Sequence, residues 1–159
     1  MTIVYDVSAR ATQDSPSLND CLHSGPALQN RLCDILIQQR DYPVVLAGDI
    51  KKAFLQIPIH ESERYALRFH WRPSHLPEVE TYRFTRVLFG LAPSPFLLRG
   101  VLECHLDAWA KKYPQETEHL RRSFYVKELL SDGQDVQQAR TRKEIATEIM
   151  NDASFELHK

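Results

Sequence analysis

A short apolar run that ends close to a single acidic residue is the feature that most restricts how this chain can fold. Residues 44–47 read Val-Val-Leu-Ala, they follow Pro43, and Asp49 lies two positions after them. A short run rich in β-branched residues is typical of a buried strand. The sequence therefore predicts a buried strand that carries Asp49 at its end.

Other segments predict helices. Apolar residues recur at helical spacing over residues 26–39 and 94–113, and Ser94-Pro95 suits the N-cap and first turn of the second helix. A third helix is predicted over residues 136–149. These three segments supply the helical part of a mixed domain.

The remaining segments predict strands and turns. Apolar and polar residues alternate over residues 67–71 and 81–85, which predicts a hairpin across the proline-containing loop 72–77. A second hairpin is expected near residues 124–130, and residues 155–157 form a closing strand. The turn-rich residues 1–25 are expected to be extended.

Composition limits the class of protein. With 43% hydrophobic and 26% charged residues, the 159-residue chain can form one globular unit that buries roughly 68–70% of its unfolded surface. Its 20 basic and 21 acidic residues give a net charge of -1, so any attraction to a polyanion must be local. The cysteine and histidine spacings suggest neither a disulfide framework nor a zinc site. No membrane span and no signal peptide are apparent, which predicts an intracellular protein, cytoplasmic or nuclear.

Asp49 has two possible roles. A lone aspartate at the end of a strand is most often a turn residue or a helix cap. Two-metal phosphoryl transfer instead needs carboxylates that converge on ions about 3.5–4 Å apart. No local stretch of the sequence offers that geometry, so carboxylates far apart in the sequence would have to meet.

Four motifs in order resemble those of reverse transcriptases. Residues 124–130, Phe-Tyr-Val-Lys-Glu-Leu-Leu, resemble the Tyr-Val-Asp-Asp-Leu hairpin of that family, and residues 45–57 resemble its first catalytic segment. Residues 86–96 and 155–159 resemble two further segments. The chain is thus similar to RNA-directed DNA polymerases, which are nucleotidyltransferases, over nearly its whole length.

Further details resemble the BEL/Pao group of LTR retrotransposons, a class of transposable element. They are residues 5–10, residues 17–22, Gly25-Pro26 and the wording Phe-Gly-Leu at residues 89–91. The resemblance implies an α+β fold, a reverse-transcriptase-like palm with an antiparallel sheet packed on helices and a fingers subdomain. Fingers are expected at about residues 1–43 and 59–91, and palm at about 44–58 and 92–159. The thumb, ribonuclease H and integrase of such a polymerase would lie outside this fragment.

The resemblance also implies roles for individual residues. Asp49 and Glu128 would hold Mg²⁺ from neighbouring antiparallel strands, Lys159 would assist the pyrophosphate leaving group, and Phe54 would exclude a ribose 2′-hydroxyl, although a core phenylalanine is an equal alternative. Partners would be an RNA or DNA template-primer and deoxynucleotides. The positions matching the nucleotide- and template-binding segment are Gly90, Ser94, Pro95 and Tyr125. Arginines at positions 10, 68 and 72 could contact phosphate, although solvated arginines are the commoner case.

The hairpin departs from the family pattern at both aspartate positions. Lys127 replaces the first, and its ammonium at about 4 Å would repel a divalent ion by about 8 kcal/mol at an effective dielectric of about 20. Glu128 replaces the second with a side chain one methylene longer. Lys127 is expected to pair with Asp49, whereas Asp132 and Asp135 are expected to face solvent. This degenerate active site predicts an inactive polymerase domain.

Two other origins remain open on the sequence alone. The chain could be a domesticated, non-catalytic module that binds nucleic acid or a protein partner. It could also be a pseudogene product without a function. A basic groove lined by aromatic residues would favour binding.

Overall fold

The structure is a computed structural model that describes residues 5–74 and 77–158. Its helices are α1 (Leu18–Cys21), α2 (Leu32–Gln39), α3 (Ser94–Trp109), α4 (Pro114–Ser123) and α5 (Val136–Asp152). Its strands are β1 (Val44–Ile50), β2 (Arg68–Trp71), β3 (Glu80–Arg83), β4 (Phe124–Tyr125), β5 (Glu128–Gly133) and β6 (Leu157–His158). Two 3₁₀ helices cover Ala53–Gln56 and Glu61–Leu67.

The chain forms two compact units. The first consists of Met1–Ser24 and Phe54–Ser94, and the second of Gly25–Ala53 and Pro95–Lys159. Residues 25–43 therefore group with the segments predicted as palm. The physical reason is a set of side-chain bonds within the second unit: Gln29 Nε2 donates to the Pro95 carbonyl at 2.6 Å, and Asn30 Nδ2 donates to the Phe124 carbonyl at 2.9 Å.

The first unit is built around a small apolar core and a hairpin. Four buried residues form the core, and partly buried residues that include Phe84 pack against it; the four are Val7, Leu67, Leu88 and Leu91. Strands β2 and β3 are antiparallel, with Phe69 opposite Tyr82. The Phe69 and Phe84 rings stack at 4.6 Å between centroids. This aromatic contact anchors one face of the predicted hairpin to the core.

The second unit contains an antiparallel sheet packed on helices. Its strand order is β4-β5-β1-β6, and β1 pairs with β5 from Val44 opposite Gly133 to Asp49 opposite Glu128. Helix α3 buries Leu98, Leu102 and Leu106, which recur every four residues and so lie on one stripe. The apolar stripe predicted for this helix is confirmed at these three positions, whereas Val101 is exposed.

The elements differ from the sequence-based expectations in several places. Helix α2 begins at Leu32 rather than residue 26, because the side chains at residues 29 and 30 bond to distant backbone instead of continuing a helix. Helix α4 was not predicted. Strand β1 forms as expected but is not buried along its length: Val45 is 50% exposed, since β6 pairs only with Asp49 and Ile50 and leaves the first half of β1 at an edge of the described sheet.

In the described part of the chain, no helix combines the length and the apolar character needed to cross a membrane.

Candidate functional site

The end of strand β1 brings three polar side chains into one row. Asp49 lies directly opposite Glu128 on β5 and opposite His158 on β6. Residues directly opposite each other in a sheet project from the same face, with Cβ atoms about 4.5–5.5 Å apart. The predicted adjacency of Asp49 and Glu128 is therefore confirmed.

A two-residue turn, Val126 and Lys127, joins β4 to β5 beside this row. Val126 has φ +52°, a left-handed conformation that is rare for a β-branched residue. Neighbouring groups hold the turn in place: the Val126 N–H donates to Gln29 Oε1 at 3.2 Å, and the Ile50 N–H donates to the Lys127 carbonyl at 3.0 Å. The position of Lys127 thus depends on a side-chain contact from Gln29 and a backbone contact from Ile50.

The Lys127 ammonium forms an ion pair with the Asp49 carboxylate. The predicted contact between these two residues is confirmed. The side chains are 35% and 42% exposed, so water screens the pair and its contribution to stability is about 0–1 kcal/mol. Its importance is chemical, because a permanent cation occupies the carboxylate that a metal ion would need.

A second ion pair, missed by sequence reasoning, joins the residue after the end of β1 to the residue before the start of β6. Lys51 Nζ donates to Glu156 Oε2 at 2.8 Å and to Oε1 at 3.1 Å, and the Lys51 N–H donates to the Glu156 carbonyl at 2.9 Å. The hydrogen bond from Lys51, followed by its charge, lowers the pKa of Glu156. The sequence gives no local signal for this pair, because the pair depends on how the two-residue strand β6 aligns with β1.

These residues do not fit a divalent cation. Mg²⁺ prefers near-octahedral oxygen ligands. The Asp49 carboxylate is engaged by an ammonium, and that ammonium would repel an ion placed beside it. Among residues 5–74 and 77–158, no group of three or more His, Cys, Asp or Glu side chains is arranged to hold a metal.

Three of the predicted nucleotide- and template-binding residues lie in the first unit. Phe54 is buried and packs edge-to-face on Phe89, with ring centroids 5.1 Å apart, so its surroundings are those of a core phenylalanine. Gly90 has φ +82°, which favours glycine. The buried Ser94 donates its hydroxyl to the Leu88 carbonyl at 2.6 Å.

Of the other predicted binding residues, Tyr125 and Pro95 belong to the second unit. Tyr125 pairs with Glu128 across β4 and β5, next to the row of polar side chains. Pro95 is the first residue of the second segment of the second unit, and its carbonyl accepts a hydrogen bond from Gln29. Lys159 lies outside the described residues. The structure thus brings together Asp49, Tyr125, Lys127 and Glu128.

Asp132 was expected to face solvent, and this expectation was wrong. Strand β5 continues to Gly133, so Asp132 remains inside the sheet, 1% exposed, and Arg142 Nη1 donates to its Oδ1 at 2.7 Å. His119 Nε2 lies 2.9 Å from the Ser131 hydroxyl and 3.8 Å from Asp132 Oδ1. Asp135 is exposed and caps α5 by accepting from the Gln138 N–H.

Comparisons with known proteins do not assign the chain to a family: no protein-family model matches it, and no curated protein matches it.

Proposed function

We propose that this chain is a fingers–palm domain of the reverse-transcriptase type, derived from a BEL/Pao retrotransposon, and that its polymerase site is catalytically inactive. The observation that carries the proposal is the β1–β5 register, which sets Asp49 opposite Glu128 with Lys127 paired to Asp49. The four motifs in family order support the same origin. Its ancestral substrates would be an RNA or DNA template-primer and deoxynucleotides, used with Mg²⁺.

The register supports this origin because it was not expected on local grounds. Residues 79 positions apart in sequence (128 minus 49) meet only through tertiary structure, and the resemblance requires that meeting. The hairpin that contributes the second acidic position has a two-residue turn, as a tight metal-binding hairpin would need. The segments at residues 45–57 and 124–130 thus meet at one end of one sheet, and this placement supports the proposal.

The inactivity follows from the charge of the side chains. Phosphoryl transfer depends on positioning and on cations that stabilise the developing negative charge. Lys127 supplies a cation, but it is bound to Asp49 and cannot coordinate phosphate and nucleophile oxygens as a metal ion does. Glu128 is the remaining carboxylate at this turn and is exposed.

A primer-extension assay tests the proposal. The unmodified chain is supplied with Mg²⁺ or Mn²⁺, deoxynucleotides and a primer, with and without template, and we expect no incorporation above background. Magnesium-dependent incorporation that disappears in Asp49→Ala would overturn the assignment of inactivity.

A matched variant tests the origin of the site. Lys127→Asp combined with Glu128→Asp changes two half-exposed or exposed side chains and leaves the β1–β5 backbone bonds in place. We expect this variant to bind Mg²⁺ in a calorimetric titration, whereas the unmodified chain does not. Adding Asp49→Asn to the double variant should abolish the binding. If the double variant is folded, with an unfolding transition like that of the unmodified chain, but binds no Mg²⁺, the site did not descend from a metal-binding hairpin.

A non-catalytic module that binds nucleic acid or a protein is the second candidate. The observation that favours it is the ion pair itself, which neutralises Asp49 without metal and leaves a fold with two packed units. Such a module should bind its partner in the presence of a chelator. A pseudogene product has no reason to bind a partner at all.

A further inference from the structure

The β2–β3 hairpin of the first unit has two chemically different faces. Phe69 and Tyr82 stack on one face, with ring centroids 5.8 Å apart, and this face is anchored to the core through Phe84. The opposite face carries cross-strand pairs Arg68–Arg83 and His70–Thr81, and all four of these residues are exposed. The hairpin therefore presents a basic face to solvent.

The two arginines of this face lie directly opposite each other. Like charges in that position destabilise a sheet. Both guanidinium groups lie over the same tyrosine ring, with Cζ atoms 5.1 Å (Arg68) and 5.4 Å (Arg83) from the centre of Tyr65, which is 61% exposed. Arg68 Nε also donates to the Tyr65 carbonyl at 3.1 Å. Tyr65 thus holds two like charges close together at the surface.

No carboxylate neutralises this pair within the described residues. Other arginines of the chain do have such partners: Arg10 pairs with Asp20 at 2.8 Å, and Arg142 pairs with Asp132 at 2.7 Å. The acidic residue on β3, Glu80, lies on the aromatic face and accepts the hydroxyl of Tyr82. Arg68 and Arg83 therefore form a site of positive charge without an internal counterion.

We infer that this face binds a phosphate group. A phosphate offers several oxygens to two guanidinium forks, which suit it better than they suit a single carboxylate oxygen. A shallow depression over the hairpin is lined by Tyr65, Arg68, Thr81, Tyr82 and Arg83, and His70 Nδ1 lies 3.1 Å from the Thr81 hydroxyl. The inference does not rest on the proposed polymerase origin, because it uses only residues of the first unit.

The phosphate has two possible sources, a small free phosphate compound or the backbone of a single-stranded nucleic acid. The test uses the whole 159-residue chain with EDTA present, so that metal binding plays no part. Inorganic phosphate is titrated in thermal unfolding experiments against chloride of equal ionic strength. A fluorescently labelled single-stranded oligonucleotide is titrated in anisotropy experiments. A ligand that binds only the folded state raises Tm with concentration.

The decisive variant is Arg68→Gln combined with Arg83→Gln. We expect it to lose affinity by about tenfold or more, because charge-assisted hydrogen bonds are lost. Its Tm without phosphate should not fall, since a repulsion between like charges is removed. Arg140→Gln, which removes an exposed arginine of α5 in the second unit, is the control and should bind as the unmodified chain does. Arg68→Lys with Arg83→Lys keeps both charges, removes the forks and should lose affinity to a smaller extent.

The outcomes separate clearly. Binding of either probe that is lost in the double glutamine variant and retained in the control supports the inference. Saturation by phosphate alone identifies a small ligand, and binding of the oligonucleotide alone identifies a nucleic-acid backbone. Absence of binding by both probes, or equal binding by the double glutamine variant, overturns the inference. None of these results depends on polymerase activity, so the two proposals can fail independently.

Discussion

The two ends of the β1–β5 ladder carry the same kind of ion pair in different surroundings. At one end Asp49 pairs with Lys127, and both side chains are more than one-third exposed. Four residues away, Val45 lies opposite Asp132, which is 1% exposed and pairs with Arg142. An exposed pair contributes about 0–1 kcal/mol, whereas removing one partner of a buried pair costs about 3–5 kcal/mol. We therefore expect a change of charge at the Asp49 end of the ladder to cost much less stability than a change at the Asp132 end.

The largest effect is expected at the Asp132 end of the ladder. Arg142→Ala should lower the free energy of unfolding by about 3–5 kcal/mol, because it leaves the Asp132 carboxylate buried without its partner. Urea denaturation measures the change. Combining it with Asp132→Asn removes the stranded charge, so the double variant should be more stable than Arg142→Ala alone. A loss below about 1 kcal/mol in Arg142→Ala would show that the two ends do not differ.

Glycines at the two ends extend the comparison to packing. A Cβ at Gly133 would lie 2.8 Å from the Ala139 amide nitrogen, whereas at Gly48 the nearest atom, the His158 carbonyl oxygen, would be 3.8 Å away. Gly133→Ala should therefore cost about 1–3 kcal/mol of unfolding free energy through overpacking. Gly48→Ala should be neutral or stabilising by about 0.5 kcal/mol, since alanine restricts the unfolded chain more than glycine does. Equal losses in denaturant unfolding would contradict this difference.

The free energy of unfolding should also depend on pH, through His119 near the Asp132 end of the ladder. Burial, and next the charge of Arg142, lower the pKa of His119, against the opposing effect of Asp132. The unfolded chain therefore binds a proton at His119 more readily than the folded chain does. The contribution of His119 to the free energy of unfolding is fully present above the ordinary histidine pKa of about 6.5, and it is lost as the pH falls below that value. Unfolding measured between about pH 7 and pH 5 should show this decline. It should be weaker in His119→Gln and unchanged in Lys127→Ala.

The smallest effect is expected at the Asp49 end of the ladder. Lys127→Ala should change the free energy of unfolding by less than about 1 kcal/mol, because solvent already screens its pair with Asp49. A double-mutant cycle with Asp49→Asn isolates the interaction between the two side chains. A coupling energy of about 3 kcal/mol would place this pair in the same class as the buried one and remove the distinction drawn above.

The parts of the fold that could be predicted are those with a strong apolar period. Helix α3 and strand β1 are examples, since their apolar residues recur at helical spacing or form a short run. Helix α4 could not be predicted in this way, because its buried positions are Thr117, Leu120 and Ser123, of which only one is apolar. The late start of α2 is a tertiary effect, set by side-chain bonds at residues 29 and 30.

The candidate site was predictable to a similar degree. The contact of Lys127 with Asp49 could be predicted only through the resemblance to reverse transcriptases, which implies that the two strands are neighbours, and not from any local pattern. The Lys51–Glu156 pair depends on the register of a two-residue strand, which no periodicity indicates. Asp132 was misplaced because the length of β5 cannot be read from a segment that passes from Leu130 to a polar Ser-Asp pair.

The turn formed by Val126 and Lys127 keeps its shape through main-chain bonds, which are blind to the identity of the side chains it displays. Substitutions at residues 127 and 128 can therefore change the charge of the turn with little effect on folding, so selection for a folded protein does not oppose them. Two substitutions, at residues 127 and 128, separate this turn from the pair of aspartates that it resembles.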